Sequence, residues 1–162
     1  MTRTLVLMRH GKSGYPAGVG DHDRPLADRG RREAALAGRW MAEEGLRIDA
    51  VVCSTATRTR QTLESTGIAA PTVYVDDIYG GYPDEILEAV RIYAPADAAT
   101  VLVVGHAPGL PDTVLTLDPG GDFDRFPTST YAVIRVGCDW DRVGLDIDPD
   151  TRLLGVRIPR EP

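Results

Sequence analysis

"TLVLMRHGKSG", residues 4–14, is the stretch from which the rest of the chain can be read. Leu5, Val6, Leu7 and Met8 form one continuous apolar run, the pattern of a strand buried on both faces. Arg9 and His10 follow at once, and Gly11 breaks the run. A guanidinium and an imidazole at the tip of a buried strand are costly to bury unless something pairs with them. The sequence points to a partner from outside the chain.

Outward from that strand, apolar runs and helical periods alternate. A polar loop rich in Gly, Pro and Asp, "GKSGYPAGVGDHDRPLADRG" (11–30), is too long for a simple turn, and long loops of this kind are often functional. A helix is expected over about 28–44, with Ala34, Leu36, Ala37, Trp40 and Met41 on a helical period and Gly45 as its stop. "IDAVVCS" (48–54) reads as a short buried strand, and "TATRTRQTLESTG" (55–67) as a helix with a Ser or Thr cap, ended by Gly67. "PTVYV" (71–75) is a third strand. The helix "PDEILEAVRIYAP" (83–95) starts on Pro83 and acidic residues, as the helix dipole favours. "ATVLVVGH" (99–106) is a fourth strand, again ending on Gly and His, and "PGLPDTVLTL" (108–117) a short helix. "STYAVIRVG" (129–137) and "TRLLGVRIP" (151–159) are two further strands around a polar connection that holds Trp140. The pattern predicts an α/β fold: a single domain over 1–162, a mostly parallel central sheet and helices on both faces. The last strands are expected to be antiparallel, because no helix fits between them.

Composition narrows the function. The 162 residues suit one domain, and 43% hydrophobic with 26% charged residues is ordinary for a globular chain. A net charge of −6 gives no bulk electrostatic support for nucleic-acid binding. No apolar run is long enough to cross a bilayer and no signal-peptide pattern opens the chain, so no membrane partner is expected and the default location is cytoplasmic. Cys53 and Cys138 lie far apart in apolar contexts and read as buried reduced thiols. Lys12 is the only lysine in a chain that otherwise uses Arg for its cations.

In open parallel sheets ligands bind beyond the carboxyl ends of the strands. Arg9 and His10 fall at that edge after the first strand, Ser54 and Arg58 after the second, and Gly105 and His106 after the fourth. A phosphoryl group suits this convergence. Two guanidinium forks can hold its oxygens by paired charge-assisted hydrogen bonds, and a helix starting near Thr55 can aim N–H groups at it. A neutral imidazole can attack phosphorus, and a protonated one can stabilise the charge that spreads in the transition state. The arginines should pull the His10 pKa down, and bound phosphate should push it up. A metal on His10 and His106, completed by His22 or nearby Asp, is opposed by the adjacent arginines.

At these residues, "LMRHG", "STATRTRQT" (54–62) and "VVGHAPGL" (103–110), the chain resembles the histidine phosphatase superfamily, also called phosphoglycerate mutase-like. Within it, "RHGKS", "DRPLADRG" and "GHAPGL" resemble the SixA-type phosphohistidine phosphatases. The resemblance implies His10 as phosphorylated nucleophile, Arg9 and Arg58 as phosphate clamps, His106 as second catalytic imidazole, and neither metal nor organic cofactor. Many members of the superfamily use a carboxylate after the third strand as proton donor. In "DDIYGGYPDEIL" Asp77, Asp84 and Glu85 are all available, and spacing does not choose among them. The segment is too short for the helical cap that roofs mutase-like relatives. An imidazole leaving group, with a parent pKa near 6.5, needs little help from an acid, and an open pocket admits a protein-borne phosphoryl group. The expected substrate is therefore protein phosphohistidine. The alternatives are a small-molecule phosphomonoesterase of the same superfamily and a non-catalytic phosphate-binding domain. Lys12 and Arg24, with Ser13, are expected to rim the pocket and bind phosphate or the substrate chain. His22 reads as an exposed loop residue, Arg60 as surface, Gln61 and Thr62 as helix supports, and Trp40 and Trp140 as packing residues. The pattern leaves the oligomeric state open.

Overall fold

The computed structural model describes residues 2–160. Strands β1 (Arg3–Arg9), β2 (Ala50–Ser54), β3 (Thr72–Val75), β4 (Thr100–Gly105), β5 (Tyr131–Val136) and β6 (Arg152–Arg157) form one sheet. Helices α1 (Asp28–Glu43), α2 (Thr57–Thr66), α3 (Pro83–Tyr93) and α4 (Gly109–Leu117) connect them, with single 3-10 turns at Asp21–Asp23, Asp76–Ile78 and Trp140–Arg142. The strand order is β3-β2-β4-β1-β5-β6. The first four strands in this order run parallel; β5 is antiparallel to both β1 and β6.

Alternation along β1 divides the core into two. Val6 and Met8 pack with Ala34, Ala37 and Met41 of α1 and Leu63 of α2. Leu5 and Leu7 pack with Ile86 and Val90 of α3, Leu110 and Val114 of α4, and Trp140. Side chains two apart share a face, so the continuous apolar run of β1 serves both layers. Burial of these side chains supplies the main favourable term, at roughly 1.5–3 kcal/mol for each large one. Trp140 is fully buried and its indole Nε1–H donates to the Ala98 carbonyl at 2.7 Å. Trp40 is half-buried on α1 beneath the Arg157 guanidinium, 4.6 Å from its ring centre.

Helix α2 departs from the expected start. It opens at Thr57 with Ala56 as N-cap, and no side chain caps it. The hydroxyls that could cap it are engaged elsewhere. Thr55 Oγ1 donates to Asp76 Oδ1 at 2.7 Å, and Ser54 Oγ is shared between the Ala56 amide and the His106 ring. Gly67 ends α2 in the left-handed region, at φ 75°, where a Cβ is disfavoured. The connection from β3 to α3 is only residues 76–82, and no helical cap stands there.

Candidate active site

Three adjacent strands, β2, β4 and β1, end at one level. Arg9 of β1 is the register partner of Gly105 of β4, and Cys53 of β2 is that of Val104. Ser54, His106 and His10 therefore emerge side by side. The His10 amide donates to the Gly105 carbonyl at 3.0 Å, which carries the pairing one residue past the strand. The rings of His10 and His106 have centres 5.3 Å apart and planes tilted by 57°.

The backbone fixes the His10 tautomer. Nδ1 lies 2.7 Å from the Gly11 carbonyl, which can only accept, so the proton is on Nδ1 and Nε2 carries the lone pair. Helix α2 holds the turn in place. Thr62 Oγ1 accepts from the Gly11 amide at 2.9 Å and donates to the Arg58 carbonyl at 2.6 Å. Gln61 Oε1 accepts from the Leu26 amide at 2.8 Å, tying the long loop to the same helix. The expected supporting role of this pair extends beyond the helix to the loops that shape the pocket. Gly30 at the start of α1 abuts the other side of the turn; a Cβ there would stand 2.2 Å from the Lys12 carbonyl oxygen. Behind Arg9, its Nη1 donates to the Phe126 carbonyl at 3.1 Å.

The electrostatics suit an anion. Arg9, Lys12, Arg24 and Arg58 line one pocket with His10 and His106, so the structure brings together all six residues expected there. Arg9 Nε and Arg58 Nε are buried with no hydrogen-bond partner among the described residues. Unpaired buried donors of this kind are expensive, and the guanidinium groups that line the pocket suit a tetrahedral oxyanion. The His10 pKa is lowered to about 4, first by burial and then by the Arg58, Arg9 and Arg24 charges, against the raising effect of the Gly11 bond. His10 is thus neutral at neutral pH, as the sequence suggests. His106 is also lowered, to about 3, first by burial, then by His10 and Arg58. The ligand-free ring is therefore not the imidazolium expected for the second histidine; a proton there needs the negative charge of a ligand. Its Nε2 pairs with Ser54 Oγ at 2.8 Å, which sets its orientation.

Arg24 is half-buried, with Nη1 donating to Ser13 Oγ at 2.6 Å and its guanidinium 4.3 Å from the centre of the exposed Tyr15 ring. Lys12 is exposed at the rim. Ser13 is buried and serves Arg24. Arg60 is exposed and lies over the Tyr74 ring, as expected of a surface residue. His22 is not a free loop residue. It is half-buried, its Nε2 lies 2.9 Å from Thr55 Oγ1, and its ring meets that of Tyr79 edge-on at 4.8 Å. Asp77 and Asp84 are exposed and Glu85 accepts from the Tyr82 amide at the start of α3; none of the three lines the pocket. The carboxylate that does reach Arg58 is Asp21, at 3.2 Å, and Tyr79 packs its ring edge on His106 at 5.5 Å. Sequence reasoning missed both. The only available signal was their position, in the first long loop and after the third strand.

Comparison with known proteins fits this geometry. The model of the histidine phosphatase superfamily (branch 1) matches residues 5–77. An uncharacterized protein of Mycobacterium tuberculosis (strain ATCC 25618 / H37Rv), Rv1276c, is 44% identical over 163 residues, spanning 94% of this chain and all of that one. A structure from Nakamurella multipartitia, described as "putative phosphohistidine phosphatase SixA", superposes with a TM-score of 0.87 at 43% identity, covering 98% of this chain and 97% of the other. The protein histidine phosphatase SixA complexed with tungstate superposes with a TM-score of 0.81 at 25% identity, covering 96% and 97%.

Proposed function

The chain belongs to the histidine phosphatase superfamily, and we propose that it is a cofactor-independent phosphatase that works through a phosphohistidine on His10 and acts on protein phosphohistidine. The observation that carries this reading is the His10 tautomer. The Gly11 carbonyl keeps the proton on Nδ1, so the free electron pair of Nε2 stands in a pocket lined by Arg9, Arg58 and His106.

In the first step Nε2 attacks phosphorus, the P–N bond of the substrate breaks, and the departing imidazole takes a proton from His106 or solvent. Arg9 and Arg58, which line the pocket, offer guanidinium N–H donors to the oxygens as charge spreads over them. The incoming phosphoryl charge raises the His106 pKa, which supplies that proton where it is needed. In the second step water attacks the phosphorus on His10 and gives a proton back to His106 or solvent, the Nε2–P bond breaks with its electron pair returning to Nε2, and phosphate leaves. No carboxylate from the β3–α3 connection lines the pocket, and that connection is short. Both features favour a good leaving group carried on another protein's surface over a sugar alkoxide. The SixA relative was solved as a complex with tungstate, a tetrahedral oxyanion, which supports an oxyanion ligand for this kind of fold.

The test is direct. A phosphohistidine peptide, a phosphotyrosine peptide and a sugar phosphate are compared at equal concentration in the presence of a metal chelator. We expect the phosphohistidine peptide to be hydrolysed fastest and the protein to hold acid-labile, base-stable phosphate during turnover. Faster turnover of the sugar phosphate would overturn the substrate assignment. Full turnover by His10→Ala would overturn the covalent route.

A further inference from the structure

Asp21 stands on the guanidinium to which the preceding reading gives a phosphate. Arg58 Nη1 donates to the Asp21 backbone carbonyl at 2.7 Å, and Nη2 to its Oδ2 at 3.2 Å. One residue thus engages both terminal nitrogens of Arg58. A guanidinium has five N–H groups in a rigid fork. Two of the five are thus engaged within the protein, one on each terminal nitrogen, and Arg58 lines the pocket with the same guanidinium. The carboxylate is itself held from two further sides. Arg24 Nε donates to Oδ1 at 3.1 Å, and the Tyr79 hydroxyl donates to Oδ2. Hydrogen bonds from Tyr79 first, and then the nearby arginines, hold its carboxyl well below the usual range, so it is charged whenever the enzyme works.

This places a fixed negative charge beside a site built for a dianion. The effects on orientation and on affinity have opposite signs. Orientation favours binding, because two bonds from one residue set the plane of Arg58. Charge opposes binding, because Asp21 repels the oxygens that Arg58 attracts. We infer that Asp21 is a positioning residue that locks Arg58 in the pocket wall and, through its charge, loosens the hold on the inorganic phosphate released at the end of each cycle. The inference rests on Arg58 being a phosphate ligand. Without such a counter-charge, Arg9, Arg24, Arg58 and Lys12 around one pocket would retain the product and slow the next turnover.

The experiment measures competitive inhibition of aryl-phosphate hydrolysis by inorganic phosphate at pH 7, in the wild type and in Asp21→Asn. Asparagine keeps the backbone carbonyl that Arg58 Nη1 binds, the shape and one side-chain acceptor oxygen; it removes the charge and turns the other oxygen into an NH2 group, so the bond from Arg24 or those from Arg58 and Tyr79 are given up with it. The inhibition constant should fall by about threefold to tenfold, the moderate end of the range, because the side chain is 56% exposed and partly screened. The KM should fall with it, and kcat should not rise. General damage to the site would instead weaken phosphate binding. Melting temperature checks folding, and Asp21→Ser carries the same test if the Asn variant does not fold. An unchanged or raised inhibition constant in a folded variant overturns the role of Asp21 alone. A wild type whose phosphate inhibition is undiminished by Arg58→Ala overturns the reading of Arg58 and this inference with it.

Discussion

Arg9 and Gly105 are register partners in the parallel pair β1–β4, and this pairing brings His10 and His106 together across nearly a hundred residues of sequence. Each ring belongs to the residue just beyond a partnered position, so the sheet itself sets their 5.3 Å separation. Replacement of either ring should leave the sheet intact and remove chemistry. His10→Ala is expected to lower aryl-phosphate turnover by at least ~10³-fold, with a wild-type far-UV spectrum. Turnover within tenfold of the wild type would contradict the nucleophile assignment.

The acid limb of activity should lie well below the ordinary histidine range. His10 titrates at about 4 in the folded protein, so kcat/KM should stay high down through pH 6 and fall only as pH approaches 4. A half-point near 6.5 in the free-enzyme profile would argue against His10 as the group that must be neutral.

Stability should respond to the same shift. In the unfolded chain His10 titrates near 6.5 and in the fold at about 4, so the unfolded state binds more protons between these values. Stability is therefore unaffected above the upper value and is lost progressively as pH falls through the window. The loss for this one ring is on the order of 3 kcal/mol. Urea melts at pH 7 and pH 4.5 should show it, and His10→Asn should reduce the difference. An equal fall in the variant would place the acid sensitivity elsewhere.

Thr62 tests the support under the nucleophile. It is fully buried and accepts from the Gly11 amide. Thr62→Val keeps the shape and leaves that amide unsatisfied, at a cost of about 1–3 kcal/mol. Both the melting temperature and kcat should fall, because the same turn carries the Gly11 carbonyl that fixes the His10 tautomer. A variant that loses stability but keeps full kcat would show that the anchor serves the fold and not the placement of His10.

Lys12 and Arg24 should divide by role. Lys12 is exposed at the rim, whereas Arg24 is tied to Ser13, Gly14 and Asp21. Lys12→Ala is expected to raise KM severalfold with little change in kcat. Arg24→Ala should alter both and lower the melting temperature. If Lys12→Ala changed kcat alone, the rim-binding role would be wrong.

Much of this arrangement is legible before any coordinates. The buried strands announce themselves by unbroken apolar runs such as residues 5–8 and 101–104, and each ends on a residue that chemistry makes conspicuous. Parallel strands with short connections leave those ends on one edge, so Arg9, His10, Ser54, Arg58 and His106 could be grouped by position alone. Asp21 could not. It lies in a loop with two other Asp residues nearby, and only the folded path of that loop turns it toward Arg58. The same holds for His22, whose contact with Tyr79 joins two loops far apart in sequence. The start of α2 misled for a different reason. Ser54 and Thr55 have the chemistry of caps, but neighbours from other loops claim their hydroxyls, and local propensity does not report such competition.

The two tryptophans give the molecule separate optical channels. One indole is sealed in the α3–α4 layer and the other is stacked beneath Arg157 on the opposite side of the sheet; neither borders the pocket. Intrinsic emission should therefore track unfolding and stay silent when an oxyanion is added. A vanadate titration that leaves the emission spectrum flat while raising the midpoint of a thermal scan would read occupancy through stability alone, with no label attached.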